Sequence, residues 1–156
     1  MKKSSLDSQL KQEITAFIHS RKSLQLATLT VEGEPYASYA PFAIGEGCLY
    51  VLISDLAVHA INLRHNPAAS LLILEDESGA DELFARLRVN FTVQAELIEV
   101  ADERRAGIIE SMTDRLGERV KDLSELSDFR LFKLVPSTGR FVKGFGRAYP
   151  ITGEVL

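Results

Sequence analysis

Two arginines, Arg86 and Arg88, lie on the polar side of an alternating segment at residues 84–100. Odd positions from 85 to 97 are all apolar, whereas most even positions are polar. Because side chains alternate between the faces of a β-strand, this pattern predicts one long strand with a core face and a polar face. Two guanidinium groups about 7 Å apart along such a strand suit a phosphate or a carboxylate. The pattern leaves open the alternative that both arginines face water or pair with glutamates.

A second candidate surface lies near the end of the chain, where aromatic and cationic side chains alternate with small ones. One predicted strand face carries Phe141, Lys143, Phe145, Arg147 and Tyr149. Rings offer stacking surfaces and cations attract acid groups, so this face suits a planar anionic ligand. The alternative is a surface strand with solvated charges and a bulge at its glycines. Residues 129–149 contain five basic residues and no acid, whereas the whole chain has a net charge of −4, which indicates a local anion site.

Three other residues could take part in polar chemistry. His59 falls in a predicted helix whose N-terminus can hold an anion, although a lone helix histidine is more often structural. Asp128 either orients a neighbouring donor or serves as a turn residue before the last strands. Cys48, the single cysteine, excludes an internal disulfide and is expected to be a small buried hydrophobe. No spacing matches a metal motif or a covalent hydrolase.

Periodicity elsewhere predicts the elements that would position these residues. In the first half we predict a helix at 5–20 capped by Ser4 or Ser5, a three-stranded meander at 23–53 with Pro41 at an edge or bulge, and a helix near 56–66 capped by Ser54 or Asp55. In the second half we predict a strand at 68–74, the long strand, a helix near 102–120, a short helix or loop, and a hairpin turning at 136–139. Six strands and two or three helices indicate a mainly β (α+β) fold, with an antiparallel barrel at 23–149 in a single domain, 1–156.

Composition restricts the classes of protein. No stretch of 18 apolar residues occurs, so we expect no membrane span. Lysines near the start precede a charged amphipathic pattern instead of an apolar signal region, so a cytoplasmic location is expected. The negative net charge argues against a general nucleic-acid binder.

Four segments together resemble a known family: LQLATLTVEGEPYASYAPF, VLISDLAVHAINLRHNP, LFARLRV and FVKGFGRAY. They are similar to heme-utilisation proteins of the HugZ/HutZ type, within the broader pyridoxamine 5'-phosphate oxidase-like, FMN-binding split-barrel superfamily. The resemblance covers residues 10–153. It implies a six-stranded antiparallel split β-barrel with flanking helices, a homodimer with ligand sites at the subunit interface, and heme as the ligand.

The resemblance also implies roles for particular residues. Arg88 resembles the heme-contacting arginine of the family, and Thr28 and Asp128 resemble polar positions that support the heme site. In the family this aspartate is associated with an axial histidine of the opposite subunit, carried in a C-terminal extension. Here no histidine follows His65, so either the natural protein ends at Leu156 or it carries a further tail. Without such a histidine, heme would dock through Arg88, Lys143 and the aromatic face, with weak or altered iron ligation.

The leading hypothesis is a heme-binding protein that degrades heme oxidatively and releases iron. The runner-up is an FMN-dependent oxidoreductase with its phosphate held by Ser54, Arg86 or Arg88 and a helix starting near Leu56. Flavin-binding members present a lysine where this chain has His59, so tight FMN binding is not expected. A heme carrier or storage protein, and a split barrel with no cofactor, are the remaining alternatives.

Overall fold

A computed structural model of the chain describes residues 6–156 and contains eight β-strands and four α-helices. Strands β1 to β4 are Ser23–Leu29, Pro35–Pro41, Ala43–Gly45 and Cys48–Ser54, and β5 to β8 are Ala68–Leu74, Arg88–Ile98, Phe129–Gly144 and Arg147–Thr152. Helices α1 to α4 are Ser8–Ser20, Val58–His65, Arg105–Leu116 and Arg119–Ser124. No helix of the described residues is long and apolar enough to cross a membrane.

One antiparallel sheet, in the order β2-β1-β5-β6-β7-β4-β3, contains seven of the strands, and β8 adds to β7. Its two outer strands, β2 and β3, are separated in the chain by Phe42 alone. The sheet must therefore curl until its ends approach each other, which gives the split barrel that the family resemblance implies. It has eight strands instead of the expected six, because the predicted second strand is divided and the end of the chain adds β8. The predicted second strand is divided at this point, because Pro41 ends β2 and the Phe42 amide donates to the Lys22 carbonyl, outside the sheet ladder.

Two apolar cores hold the elements together. The larger core fills the barrel with inward side chains such as Leu26 and Phe91, both at most 1% exposed. Ile14 and Ile18 of α1 and Ala60 and Leu63 of α2 belong to the same core. The smaller core lies on the outer side of the barrel, where Tyr50, Ile98 and Leu131 pack against Ile109 and Met112 of α3 and Val120 of α4. Fully burying each such large side chain contributes about 2 kcal/mol.

The start of α1 differs from the predicted cap. Ser4 and Ser5 lie outside the described residues, and the cap is Asp7, whose Oδ1 accepts from the Gln9 amide at 2.7 Å and the Leu10 amide at 3.4 Å. A carboxylate at this position satisfies free amides of the first turn. The predicted apolar face of the helix is confirmed, since Ile14 is fully buried.

The last hairpin turns later than predicted. No turn occurs at 136–139, because β7 runs without interruption from Phe129 to Gly144, and the turn lies at Phe145–Gly146. Pro136 is tolerated inside β7 because it pairs with Val93, where the register between β6 and β7 shifts. At such an irregularity the hydrogen bond that proline cannot donate is not needed. Gly146 has φ +69°, a conformation that glycine adopts without strain, which favours the later turn.

Other boundaries also shift. The alternation of the long strand is confirmed from Arg88 to Ile98, but residues 83–85 form a 3₁₀ turn, so Arg86 precedes the strand. Helix α2 begins at Val58 after Ala57, with no side-chain cap, so Ser54 and Asp55 do not cap it. The helix predicted near 102–120 ends at Leu116, and the short helix α4 follows.

Candidate functional site

The structure divides the predicted site residues into two groups at opposite ends of β7. Asp128 immediately precedes β7, and its neighbour Phe129 pairs with Ser54 at the end of β4. Arg88 pairs with Val142, thirteen residues further along β7. Thirteen residues of extended strand span about 43 Å, and less where the strand bends. A single chain therefore does not bring Arg88 and Asp128 into one pocket.

Ser54 and Asp128 form the centre of the first group. The Ser54 hydroxyl donates to Asp128 Oδ2 at 2.7 Å and accepts from the Leu56 amide at 3.1 Å. The Asp55 amide donates to the Asp128 carbonyl at 2.6 Å. Both hydrogen-bonding roles of the Ser54 hydroxyl are thus used within the protein. A phosphate beside Ser54 would also meet the Asp128 carboxylate, so the phosphate site predicted for FMN does not fit this geometry.

Asp55 ties this group to two neighbouring elements. Its Oδ1 lies 3.1 Å from Arg64 of α2, and its Oδ2 lies 2.9 Å from Arg130 of β7. The Asp55 side chain is only 22% exposed, so its two ion pairs are partly shielded from water. The bridge fixes the start of β7, and with it Asp128, against α2.

Thr28 forms a buried polar contact with Asn62, a residue that the sequence did not single out. The Asn62 Nδ2 donates to the Thr28 Oγ1 at 2.9 Å, and each residue is only 2% exposed. Thr28 therefore cannot contact a ligand in this conformation, and its hydroxyl instead joins β1 to α2. Asn62 follows His59 by three residues and so lies on the same helix face, and this spacing is the sequence signal that could have identified Asn62.

His59 lies on the same side of α2 and contacts β2. Its Nδ1 lies 2.8 Å from the Ser38 hydroxyl. Partial burial lowers the pKa of the His59 imidazole below its ordinary value, because a charged ring would lose hydration. The ring is therefore neutral near pH 7 and offers no positive charge to a phosphate.

Arg86 does not join Arg88 in a parallel clamp, and it follows the alternative that the sequence left open, a pairing with a glutamate. The Arg86 Nε donates to the Glu75 carbonyl at 3.0 Å, and Nη1 lies 3.9 Å from Glu77 Oε1. Because Arg86 precedes the strand, its side chain turns back onto the acidic loop and holds that loop.

Arg88 lies on the outer face of the barrel between two apolar neighbours. It pairs with Leu74 of β5 on one side and with Val142 of β7 on the other. Its Nη1 donates to the Arg86 carbonyl at 3.1 Å, and no carboxylate within residues 6–156 lies at ion-pair distance from it. A half-buried guanidinium with free donors is the part of this surface best suited to an anion.

The predicted aromatic and cationic face of the last strand is also corrected. Phe141 is fully buried and packs on Phe17 and Tyr149, with ring centroids 6.3 Å and 6.4 Å away. Lys143 pairs with Glu13 of α1 at 3.1 Å. The turn at Phe145–Gly146 breaks the predicted alternation, so the five side chains do not form one ligand-binding face.

Two residues of that segment remain on the surface. Phe145 is 73% exposed at the tip of the hairpin, and Arg147, just beyond it, is also exposed. The tip lies at the same end of the barrel as Arg88, next to the 3₁₀ turn at Leu83–Ala85. Phe145 and Arg147 are therefore grouped with Arg88 and not with Asp128.

The described part of the chain contains neither a recognisable metal centre nor a reactive thiol. No group of three or more histidine, cysteine or acidic side chains in the described residues could hold a metal ion. Cys48 is 7% exposed, as expected, and burial raises the pKa of its thiol. An inert buried thiol fits a structural role.

Comparison with known proteins identifies the family. The pyridoxamine 5'-phosphate oxidase family profile matches residues 10–143. The chain is 45% identical to heme oxygenase HutZ of Vibrio cholerae over 156 residues, which cover 100% of this chain and 89% of that protein. The crystal structure of HutZ, described there as a heme storage protein, superposes with a TM-score of 0.77 over 80% of this chain and 88% of that one.

Two further solved structures share the fold and sequence similarity. ChuZ of Campylobacter jejuni is 36% identical, with a TM-score of 0.86 over 95% of this chain and 61% of that one. A heme binding protein of Mycobacterium smegmatis is 30% identical, with a TM-score of 0.83 over 97% of this chain and 61% of that one. The chain therefore belongs to the pyridoxamine 5'-phosphate oxidase family, and within it to the HutZ type.

Proposed function

We propose that this protein binds heme and opens the macrocycle oxidatively, with release of iron. The observation that carries the proposal is Arg88, a half-buried guanidinium with no carboxylate partner in the described residues. Its neighbours across the sheet, Leu74 and Val142, are apolar. An amphipathic ring system with acid groups matches this combination of an apolar surface and an unpaired cation. The similarity to HutZ, named a heme oxygenase, supports the same ligand.

The residues present fit a heme better than a flavin phosphate. When bound, heme supplies the redox-active iron at which reductant and O2 react. The protein's own residues would hold the acid groups at Arg88 and keep Asp128 oriented through Ser54. Asp128 has one carboxylate oxygen without a partner inside the described residues, and it would accept a hydrogen bond from a group that positions or ligates the heme.

We propose that the protein acts as a homodimer, and the separation of the two groups supports this proposal. Because Arg88 and Asp128 lie at opposite ends of β7, a complete site needs Asp128 of one subunit beside the partner's Arg88. Subunit mixing tests this arrangement. If Arg88→Gln and Asp128→Asn homodimers are both inactive, a mixture of exchanged subunits should restore activity to about a quarter of the sites, since a mixed dimer has one intact site. Absence of any restoration after proven exchange would show that one chain holds the whole site.

Heme binding itself is tested by titration. Hemin added to the purified protein should shift and sharpen the Soret band, and Arg88→Gln should weaken binding about tenfold through the loss of a charge-assisted contact. The matched control is Arg119→Gln, which removes the same charge from an exposed position of α4. Unchanged binding by Arg88→Gln would show that the acid groups lie elsewhere. A cytoplasmic location remains a prediction from the sequence.

A storage role is the second candidate, and one observation favours it. The same Vibrio cholerae protein is described as a heme oxygenase and as a heme storage protein. A storage protein would return intact heme to an apo-acceptor in the presence of reductant. Transfer of intact heme to apomyoglobin, faster than any loss of macrocycle absorption, would support this role and contradict turnover.

The FMN-dependent alternative is supported by the family match alone. Ser54 is bonded to Asp128 and Arg86 to the Glu75 carbonyl, so neither is free to hold a phosphate. Flavin fluorescence released by denaturing the purified protein would support that alternative.

A further inference from the structure

We infer that Arg140 is the second arm of the anion site, so that Arg88 and Arg140 together recognise two acid groups on one planar ligand. This inference rests on the proposed heme function, because heme carries two propionates on one edge of its ring. Arg140 lies in the basic segment noted in the sequence but was not selected there as a site residue.

The strand register places the two arginines side by side. Asn90 pairs with Arg140 and Arg88 pairs with Val142, so Arg88 and Arg140 are diagonal neighbours across β6 and β7. Diagonal neighbours on one face lie about 7–8 Å apart, well within the joint reach of two arginine side chains. The intervening pair, Val89 and Phe141, is fully buried and points inward. Arg88 and Arg140 therefore both point outward, on the same face.

No acid within residues 6–156 neutralises this pair of like charges. Ion pairs of the described residues use other cations, namely Arg21, Arg64, Arg86, Arg104, Arg130 and Lys143. The Arg140 side chain is exposed and has no hydrogen-bond partner within residues 6–156. Two adjacent guanidinium groups without an anion repel each other, and a ligand with two acid groups would remove that repulsion. Arg86 cannot serve as the second arm, because it is bonded to the Glu75 carbonyl.

The neighbours of the two arginines across the strands are uncharged and mostly apolar. The row of residues paired across the strands at Arg88 runs from Leu74 of β5 through Arg88 of β6 to Val142 of β7 and Ala148 of β8. Across the row of Arg140 lie Leu72 and Asn90 on one side and Pro150 on the other. No carboxylate occurs in either row. A flat ring can rest on such uncharged side chains while its acid groups reach the two cations.

Hemin dimethyl ester keeps the ring and the iron but lacks the two ionised acid groups, so comparing it with hemin isolates the contribution of the acid groups to binding. Hemin and hemin dimethyl ester are titrated, by their Soret bands, into the wild-type protein and into Arg140→Gln, Arg88→Gln and Arg119→Gln. We expect the wild-type protein to prefer hemin, and Arg140→Gln to lose about tenfold affinity for hemin with little change for the diester. Arg88→Gln should behave alike, and the control Arg119→Gln, exposed on α4, should match the wild type.

Three results would overturn the inference. Arg140→Gln with wild-type affinity for hemin would show that Arg140 does not contact the ligand. Equal losses for hemin and the diester would show a structural effect instead of acid recognition, and unfolding midpoints would confirm that. No Soret change with wild-type protein and either compound would reject heme binding itself, which distinguishes failure of the proposed function from failure of this inference.

Discussion

The Ser54 hydroxyl donates to Asp128 Oδ2 at 2.7 Å and so joins the end of β4 to the start of β7. The two residues are 74 positions apart in the chain, and the pairing of Ser54 with Phe129 brings them together. This contact removes Ser54 from the group of free phosphate ligands and makes it a positioning residue for Asp128.

Replacement of Ser54 by alanine should loosen Asp128. We expect a loss of about 1.5–3 kcal/mol in the free energy of unfolding, because a hydrogen bond to a carboxylate is removed. Heme turnover should fall more than hemin affinity, since Arg88 is untouched. Urea unfolding and the rate of Soret decay measure the two effects. The control is Ser124→Ala, whose hydroxyl donates to the Lys121 carbonyl within α4, and equal turnover defects in both variants would contradict the role of Ser54.

Thr28→Val should destabilise the protein by about 1–3 kcal/mol, because the buried Asn62 amide would lose its acceptor. The second change Asn62→Leu, made on top of Thr28→Val, should recover part of that loss by removing the unsatisfied amide. Denaturant unfolding of Thr28→Val, Asn62→Leu and the double variant gives the coupling free energy between the two side chains. Strictly additive effects would show that the 2.9 Å contact contributes nothing.

His59 should make stability depend on pH below about 6.5, its ordinary pKa. Burial lowers the pKa of the folded imidazole, so the unfolded chain takes up the proton first as the pH falls. The contribution of neutral His59 to the free energy of unfolding is therefore fully present above pH 6.5. It is lost as the pH falls towards the lowered pKa of the folded state. His59→Asn should unfold with a smaller difference between pH 7.5 and pH 5.5 than the wild type. His65→Gln, an exposed histidine of the same helix, is the control, and an identical loss in all three proteins would refute the assignment.

Gly139→Ala should disrupt the β6–β7 pairing. A Cβ atom at Gly139 would lie 2.0 Å from the Asn90 carbonyl oxygen and 2.8 Å from Phe91 Cδ1, and the backbone oxygen cannot move without breaking the ladder. We expect a loss of about 3 kcal/mol or more, seen as a lower unfolding midpoint. Gly107→Ala on α3, where nothing lies within 4 Å, should instead stabilise by about 0.5–1 kcal/mol. Two variants of equal stability would contradict the crowding at Gly139.

Local patterns in the sequence predicted most of the elements. The alternation of Val89, Phe91 and Val93 matches their burial, and the helical spacing of Ile109 and Met112 matches their packing on the outer side of the barrel. These predictions succeeded because period and burial are coupled within a single element.

The errors concern contacts between elements. Pro136 and Gly139 resemble a turn, and only the register with β6 shows why the strand continues through them. Arg86 was predicted to lie on the strand, but the acidic loop draws its side chain away. Asn62 and Arg140 were missed because their partners, Thr28 and Arg88, are distant in the chain and become neighbours only through packing and strand pairing.

Single-turnover oxidation of bound heme tests the central claim most directly. The hemin-loaded protein is given ascorbate and O2 with catalase present, so that free peroxide cannot attack the heme, and ferrous iron is trapped by a chelator. We expect the Soret band to decay, a bilin-like band to rise, and about one iron to appear for each heme lost, with slower decay in Arg88→Gln. A Soret band that persists, with intact heme recovered and no chelated iron, would contradict a heme-degrading function.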